Sequence, residues 1–269
     1  MCITPINLKK ETWKQKLSDT YMMQQVPCGR CIECRKLRVN SWFVRLQNEK
    51  DHSSSAHFVT LTYDDENLPY TENGIMGLNY KDTQDMWKHI RKYTPYKNPK
   101  YFLVGEYGEQ THRPHYHALV YNVDDPEIIQ KAWKKGQIHV GEVNEATTFY
   151  TLKYALKSAG KIKKSDPWDD RTLEKALMSK GLGKNYLTSE MIKYHKDDVE
   201  RGVKMLGNVN LPLPRYYRDK LFDQKDKQLR NFKMQHLNDD RFDTTSDKLF
   251  PQRVQKMYAD QEKKQKKTD

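Results

Sequence analysis

The order of segments between residues 50 and 160 constrains this chain more than any other feature. The stretch 57 to 63, HFVTLTY, alternates apolar and polar residues with β-branched members, as a half-buried strand does, and Asp64-Asp65 closes it. Residues 80 to 93 carry Met86, Trp87 and Ile90 on one helical face. The stretches 101 to 107 and 114 to 121 read as two strands of a hairpin around a polar turn. Asp125-Pro126 opens a helix bearing Ile128, Ile129 and Trp133; Gly136 is expected to end it, and 137 to 143 reads as a further strand. A helix over about 146 to 158 completes the series. The order β-α-β-β-α-β-α predicts an α+β fold of the ferredoxin-like βαββαβ kind, with a largely antiparallel sheet flanked by helices.

The flanking regions read differently. Residues 1 to 49 form a Cys-rich arm and a helix over about 35 to 49, with Leu37, Trp42, Phe43 and Leu46 as its apolar side. The sheet domain is expected over 50 to 160, left through the basic, turn-rich stretch SAGKIKKSDPWDD. An accessory segment of short helices follows over 161 to 223, and from 224 to 269 charge dominates, as in a solvated helix or a disordered tail. No repeat of fixed period is present.

Composition narrows the partners. Forty-eight Lys and Arg against 36 Asp and Glu leave a net charge of +12, which excludes an acidic solvating protein and points to a polyanion. The hydrophobic share, 36%, is below the roughly 45 to 50% apolar usage of average domains, so the core is not expected to extend over the whole chain. No apolar run approaches the roughly 18 residues of a membrane span. The first residues lack a basic segment followed by an apolar one. The expectation is a soluble, intracellular protein.

Three clusters carry chemistry. In the second hairpin strand, His115 and His117 lie two apart, so their imidazoles share a face and can converge on one cation. If the hairpin pairs symmetrically about its turn, Glu106 sits opposite His115 as a third ligand, with Glu109, His112 and Asp124 as competitors. Two imidazoles and one carboxylate leave open positions on a divalent ion, as polarisation of a phosphate oxygen requires. Next, YTLKYALK holds two copies of Tyr-x-x-Lys; Tyr150, Lys153, Tyr154 and Lys157 fall within an arc of about 100° on one helix face. An ordinary amphipathic helix with packed tyrosines and snorkelling lysines would look the same. Beside a metal site, though, the cations can favour a phenolate and offset charge on a phosphoryl group. Flanking cations on both sides favour Tyr154 as the first nucleophile.

The third cluster holds all four cysteines: Cys2, then Cys28, Cys31 and Cys34 in VPCGRCIEC. In a reducing compartment such a group more often holds metal than disulfides. One Zn²⁺ fits if Cys2 folds back as fourth ligand; the tight run also permits an iron-sulfur cluster, and simple free thiols remain an alternative.

The strand FVTLTY, the HYH of 115 to 117 and the tandem YxxK, in that order, resemble the three motifs of HUH rolling-circle replication initiators, and the paired tyrosines resemble their two-tyrosine class. MCITP, VPCGRCIEC and LPRYY are similar to the initiators of gokushovirus-type microviruses, a likeness that covers about residues 1 to 220. The resemblance implies an HUH endonuclease domain in which Tyr150 and Tyr154 are nucleophiles, His115 and His117 bind Mg²⁺ or Mn²⁺, and Lys153 and Lys157 are electrostatic helpers. It implies nicking and rejoining of single-stranded origin DNA through a 5′-phosphotyrosine, with a free 3′-OH for host synthesis, a host helicase and polymerase as partners, and action in the cytoplasm of a bacterial host. No phosphate-binding loop of the GxxxxGK[ST] type occurs, which suits chemistry that needs no nucleotide hydrolysis. Arg113, Lys134, Lys135, Lys161, Lys163 and Lys164 are candidate DNA contacts. The rival readings are a non-catalytic nucleic-acid-binding protein on the same scaffold and a transposase or relaxase of the HUH class.

Overall fold

The computed structural model describes residues 2–9, 23–94, 97–158, 168–205 and 209–235. In chain order it contains β1 (Ile6–Lys9), β2 (Met23–Val26), α1 (Ile32–Asp51), β3 (Ala56–Thr62), α2 (Tyr80–Tyr93), β4 (Lys100–Tyr107), β5 (Pro114–Tyr121), α3 (Pro126–Ala132), β6 (Ile138–Glu142) and α4 (Glu145–Ser158). There follow β7 (Ala176–Met178), a 3-10 turn at Lys184–Tyr186, α5 (Ser189–Asp197), β8 (Val203–Met205), β9 (Val209–Leu211), α6 (Arg215–Leu221) and α7 (Gln224–Gln235).

Local chemistry sets these boundaries. The Asn79 side chain accepts from the Lys81 amide to start α2, and Arg91 and Lys92 complement the dipole at its end. Tyr80, Thr83, Met86, Trp87 and Ile90 are its buried residues, spaced as one face. Asp125 caps α3 and Pro126 occupies its first turn. That helix stops at Ala132, well before Gly136, because Trp133 turns extended and donates its indole N–H to the Thr62 carbonyl at 3.0 Å. Gly136 serves a close approach instead. Its φ is +153°, and a Cβ there would lie 2.4 Å from the Thr62 oxygen.

The sheet runs β6-β3-β5-β4-β7 with every neighbouring pair antiparallel. Its first four strands are, by order within the βαββαβ unit, fourth, first, third and second, so the fold is ferredoxin-like. The helices α2 and α3 cover one face, over Leu61, Leu103, Tyr116, Ala118 and Val120. On the other face α1 and α4 lie over Phe102, Val104, Leu119 and Tyr121. Phe43 of α1 stacks on Phe149 of α4 at 4.2 Å between centroids, and Gln47 donates to the Thr148 hydroxyl.

Several details depart from the sequence expectations. Helix α1 begins at Ile32, and Leu37 is exposed; it lies about 120° around the helix from Phe43, and Val39, Phe43, Val44 and Leu46 form the buried stripe. The arm contains a two-stranded ladder, β1 with β2. A fifth strand, β7, extends the sheet beyond β4 from outside the expected 50 to 160 span. Leu182, Tyr186, Val203, Leu211, Tyr217 and Phe222 share one hydrophobic cluster with α1 and α4. The tail begins as a helix, α7, in which Arg230 is buried and donates to the Val199 carbonyl; residues 236–269 lie outside the described residues.

A buried acid ties these parts together. Glu49 accepts from the Gly183 amide at 2.7 Å and pairs with Lys100 at 2.7 Å, linking α1, β4 and the 3-10 turn. Gly183, at φ +72°, leaves room for Tyr217, whose hydroxyl donates to the Gly183 carbonyl at 2.8 Å. Glu49→Ala strands both partners, and the expected cost is about 3–5 kcal/mol. Urea unfolding followed by circular dichroism checks it; an unchanged midpoint would show that the pair contributes nothing.

Candidate active site

Strand β5 is the middle strand of the sheet, and its alternation sends His115 and His117 to the face covered by α1 and α4. Glu106 of β4 stands directly opposite His115, the register expected from a symmetric hairpin. Its Oε2 lies 3.3 Å from His115 Nε2 and 3.5 Å from His117 Nε2. Both rings are oriented through their other nitrogen: His115 Nδ1 is 3.2 Å from the Arg113 carbonyl and His117 Nδ1 is 3.0 Å from the Thr60 hydroxyl. One donor atom from each of the three residues lies within 4.8 Å of the others.

This trio fits a divalent ion. His117 Nε2 is buried and makes no hydrogen bond, while its Nδ1 is already engaged, so the lone pair points at the carboxylate pocket. Burial lowers the His117 pKa, which keeps that ring neutral and able to ligate. For His115 burial also opposes the charged form, but the Glu106 carboxylate and the Arg113 carbonyl outweigh it and the net shift is upward. The other acids and imidazole considered lie elsewhere: Glu109 and His112 are exposed at the hairpin turn, and Asp124 is committed to Ser54 and Lys97.

Helix α4 brings the tyrosines to this trio. Asn144 and Thr147 exchange side-chain and backbone hydrogen bonds, each 2.9 Å, and fix the helix start. Thr148, Phe149, Thr151 and Leu152 are its buried residues toward the core. Tyr150 meets the His117 ring edge-on at 5.0 Å, and Tyr154 stacks on the same ring at 5.5 Å with an interplanar angle of 21°. The two phenol rings are 4.9 Å apart. Tyr150 is 39% exposed and Tyr154 only 8%. Burial first, then the neighbouring Tyr150 and Glu106, pushes the Tyr154 pKa up.

The remaining predicted residues are dispersed. Lys153 Nζ lies 5.5 Å from the Tyr154 ring centroid, and Lys157 is in the last turn of the same helix. Arg113 pairs with Asp65 at 2.7 Å and donates to the Tyr63 carbonyl. Lys134 is exposed, Lys135 is half-buried near Asn67, and Lys161, Lys163 and Lys164 lie outside the described residues. Two contributors escaped sequence reasoning: Thr60, which orients His117, and Phe58, whose ring is 5.7 Å from His117 and 6.1 Å from Tyr150. The signal was available in HFVTLTY, whose alternate residues Phe58, Thr60 and Thr62 pair with the histidine face.

The cysteines also converge. Cys2 and Cys31 sulfurs are 3.7 Å apart, those of Cys28 and Cys34 are 3.9 Å apart, and all four lie within 4.8 Å of one another, a group that could hold a metal ion.

An antiparallel sheet in this strand order, with a His-x-His on its middle strand, defines an α+β domain of the ferredoxin-like, HUH kind. Residues 56–159 match the family model of the replication-associated protein ORF2 type. The chain is 30% identical over 230 residues to "Replication-associated protein VP4" of Bdellovibrio phage phiMH2K, covering 76% of this chain and 70% of that one. It is 31% identical over 222 residues to "Replication-associated protein ORF2" of Spiroplasma virus 4, covering 71% and 66%. With "Replication-associated protein ORF4" of Chlamydia phage 1 the identity is 27% over 222 residues, covering 73% of this chain but 53% of that one. No solved structure matches. The chain belongs to this replication-associated protein family and resembles the rolling-circle replication initiators of gokushovirus-type microviruses.

Proposed function

We propose that the protein starts rolling-circle replication by cutting and rejoining single-stranded origin DNA through a tyrosine. The observation that carries this reading is the Tyr150 ring against His117 at 5.0 Å, a half-exposed phenol beside a ligand set. In the cut, the phenol loses its proton, its oxygen bonds to phosphorus, and the bond from phosphorus to the 3′-oxygen breaks. The departing oxygen takes up a proton. The products are a 5′-phosphotyrosine and a free 3′-OH, and attack by a 3′-OH on the phosphotyrosine reverses the step. Glu106, His115 and His117 would hold Mg²⁺ or Mn²⁺, which polarises the scissile phosphate oxygen when bound.

Exposure favours Tyr150 as the first nucleophile, the reverse of the order suggested by the flanking lysines alone. Lys153 and Lys157 share the tyrosine helix and supply positive charge for the phosphoryl group. Arg113, Lys134, Lys135, Lys161, Lys163 and Lys164 are proposed backbone contacts, in keeping with the net charge of +12. A free 3′-OH calls for a polymerase and a displaced strand for a helicase, both from the bacterial host and acting in its cytoplasm. The expected experimental result is a labelled, denaturation-resistant protein–DNA band when 3′-end-labelled single-stranded fragments spanning the cognate genome are incubated with the protein and Mn²⁺. DNA binding without any covalent species or cleavage would favour the non-catalytic alternative.

A further inference from the structure

We infer that Cys2, Cys28, Cys31 and Cys34 hold one zinc ion in a closed four-thiolate site that fixes the start of α1, the helix against which the tyrosine helix packs. The inference stands apart from the nicking chemistry, since none of these residues belongs to the histidine site.

Geometry carries the argument. With Zn–S bonds of about 2.3 Å, the edge of a regular ZnS₄ tetrahedron is about 3.8 Å. The observed edges are 3.7 Å between Cys2 and Cys31 and 3.9 Å between Cys28 and Cys34. No pair of the four sulfurs is farther apart than 4.8 Å. Such sulfurs surround one ion; an iron-sulfur cluster, in which separate thiolates bind separate irons, needs them spread more widely. Four thiolates complete a tetrahedron and leave no open position, which marks a structural site.

The chain is built to bring the fourth ligand home. Pairing of Ile6 with Val26 in the β1–β2 ladder sets the residues before β1 beside those after β2, so Cys2 meets the Cys28 region. The Cys28 amide donates to Cys2 Sγ at 3.3 Å, and the Arg30 and Cys31 amides donate to Cys28 Sγ at 3.4 and 3.3 Å. Such N–H to sulfur bonds offset thiolate charge, as outer partners of metal ligands do. Gly29, at φ +74°, makes the turn between Cys28 and Cys31. Cys31 is the N-cap of α1 yet makes no side-chain cap, and Cys34 lies one turn inside the helix, so two ligands lock the first turn. Four thiolates and Zn²⁺ carry two net negative charges, and Arg30, Arg35, Lys36 and Arg38 lie close by in sequence. Farther along, α1 meets α4 through Phe43 and Gln47.

The test uses the full chain purified under reducing conditions, with and without His115→Ala and His117→Ala to remove the other site. Elemental analysis is expected to give about one zinc per chain in both forms. Mercurial titration of four thiols should release that zinc, and Co²⁺ in its place should show thiolate charge-transfer absorption with tetrahedral visible bands. Cys2→Ser removes a ligand from outside α1 and should lower zinc content and melting temperature together. Iron with labile sulfide overturns the inference, as does metal-free native protein whose four thiols all titrate freely. Because the thiol titration is made on the wild-type chain, a variant that fails to fold does not remove the decision.

Discussion

Replacing both His115 and His117 by alanine is expected to lower Mn²⁺-dependent nicking by at least about 10³-fold, the scale on which removal of preorganised transition-state charge stabilisation is felt. Both ring nitrogens that face Glu106 disappear, and a lone carboxylate cannot organise an ion for phosphate chemistry. Affinity for single-stranded DNA, read by fluorescence anisotropy in EDTA, should stay near the wild-type value, since the proposed contacts lie elsewhere. Circular dichroism serves as the folding control, because the imidazole of His117 packs between Phe58 and the tyrosines. Cleavage at the wild-type rate by a folded double variant would remove the histidines from the mechanism.

The tyrosines should separate one cut from two. A rolling-circle round must cut the origin and then cut its regenerated copy while the first DNA end is still attached to the enzyme. One nucleophile cannot do both. Tyr150 and Tyr154 are one turn apart, about 6 Å of rise, and both rings contact His117. Tyr150→Phe is expected to slow the first cut at least about tenfold, equivalent to about 1.4 kcal/mol in the barrier. Tyr154→Phe should leave that cut nearly intact, and the double variant should lose covalent adduct altogether. Neither single variant should release closed circles over repeated rounds. Gel analysis of adduct and circular product reads all three outcomes. Multiple-round release by Tyr154→Phe at the wild-type rate would reduce that phenol to a packing residue.

Much of this site was legible because it rests on period-two alternation. The HYH triplet and a symmetric hairpin suffice to set Glu106 against His115, and β5 spans the expected 114 to 121. Helix α2 likewise needed only a cap and one apolar stripe. What escaped depended on tertiary contacts. The end of α3 is set by the Trp133 indole on β3, a bond no local pattern encodes. Three-residue β7 is too short for a period, and its pairing with β4 joins segments some 75 residues apart. Leu37 looked like core by type and is surface by angle. Lysine spacing said nothing about which phenol is covered, whereas burial of Tyr154 against His117 does.

The tyrosine helix follows β6, at one edge of the sheet, and the chain beyond it returns as β7 at the opposite edge, while its flank is clamped by Phe43 and Gln47. A helix moored at both banks of the sheet cannot swing between two reaction positions. The travel needed between successive cuts must therefore reside in the nucleic acid, which makes the slack of the bound strand, rather than hinge motion of the enzyme, the variable that sets turnover.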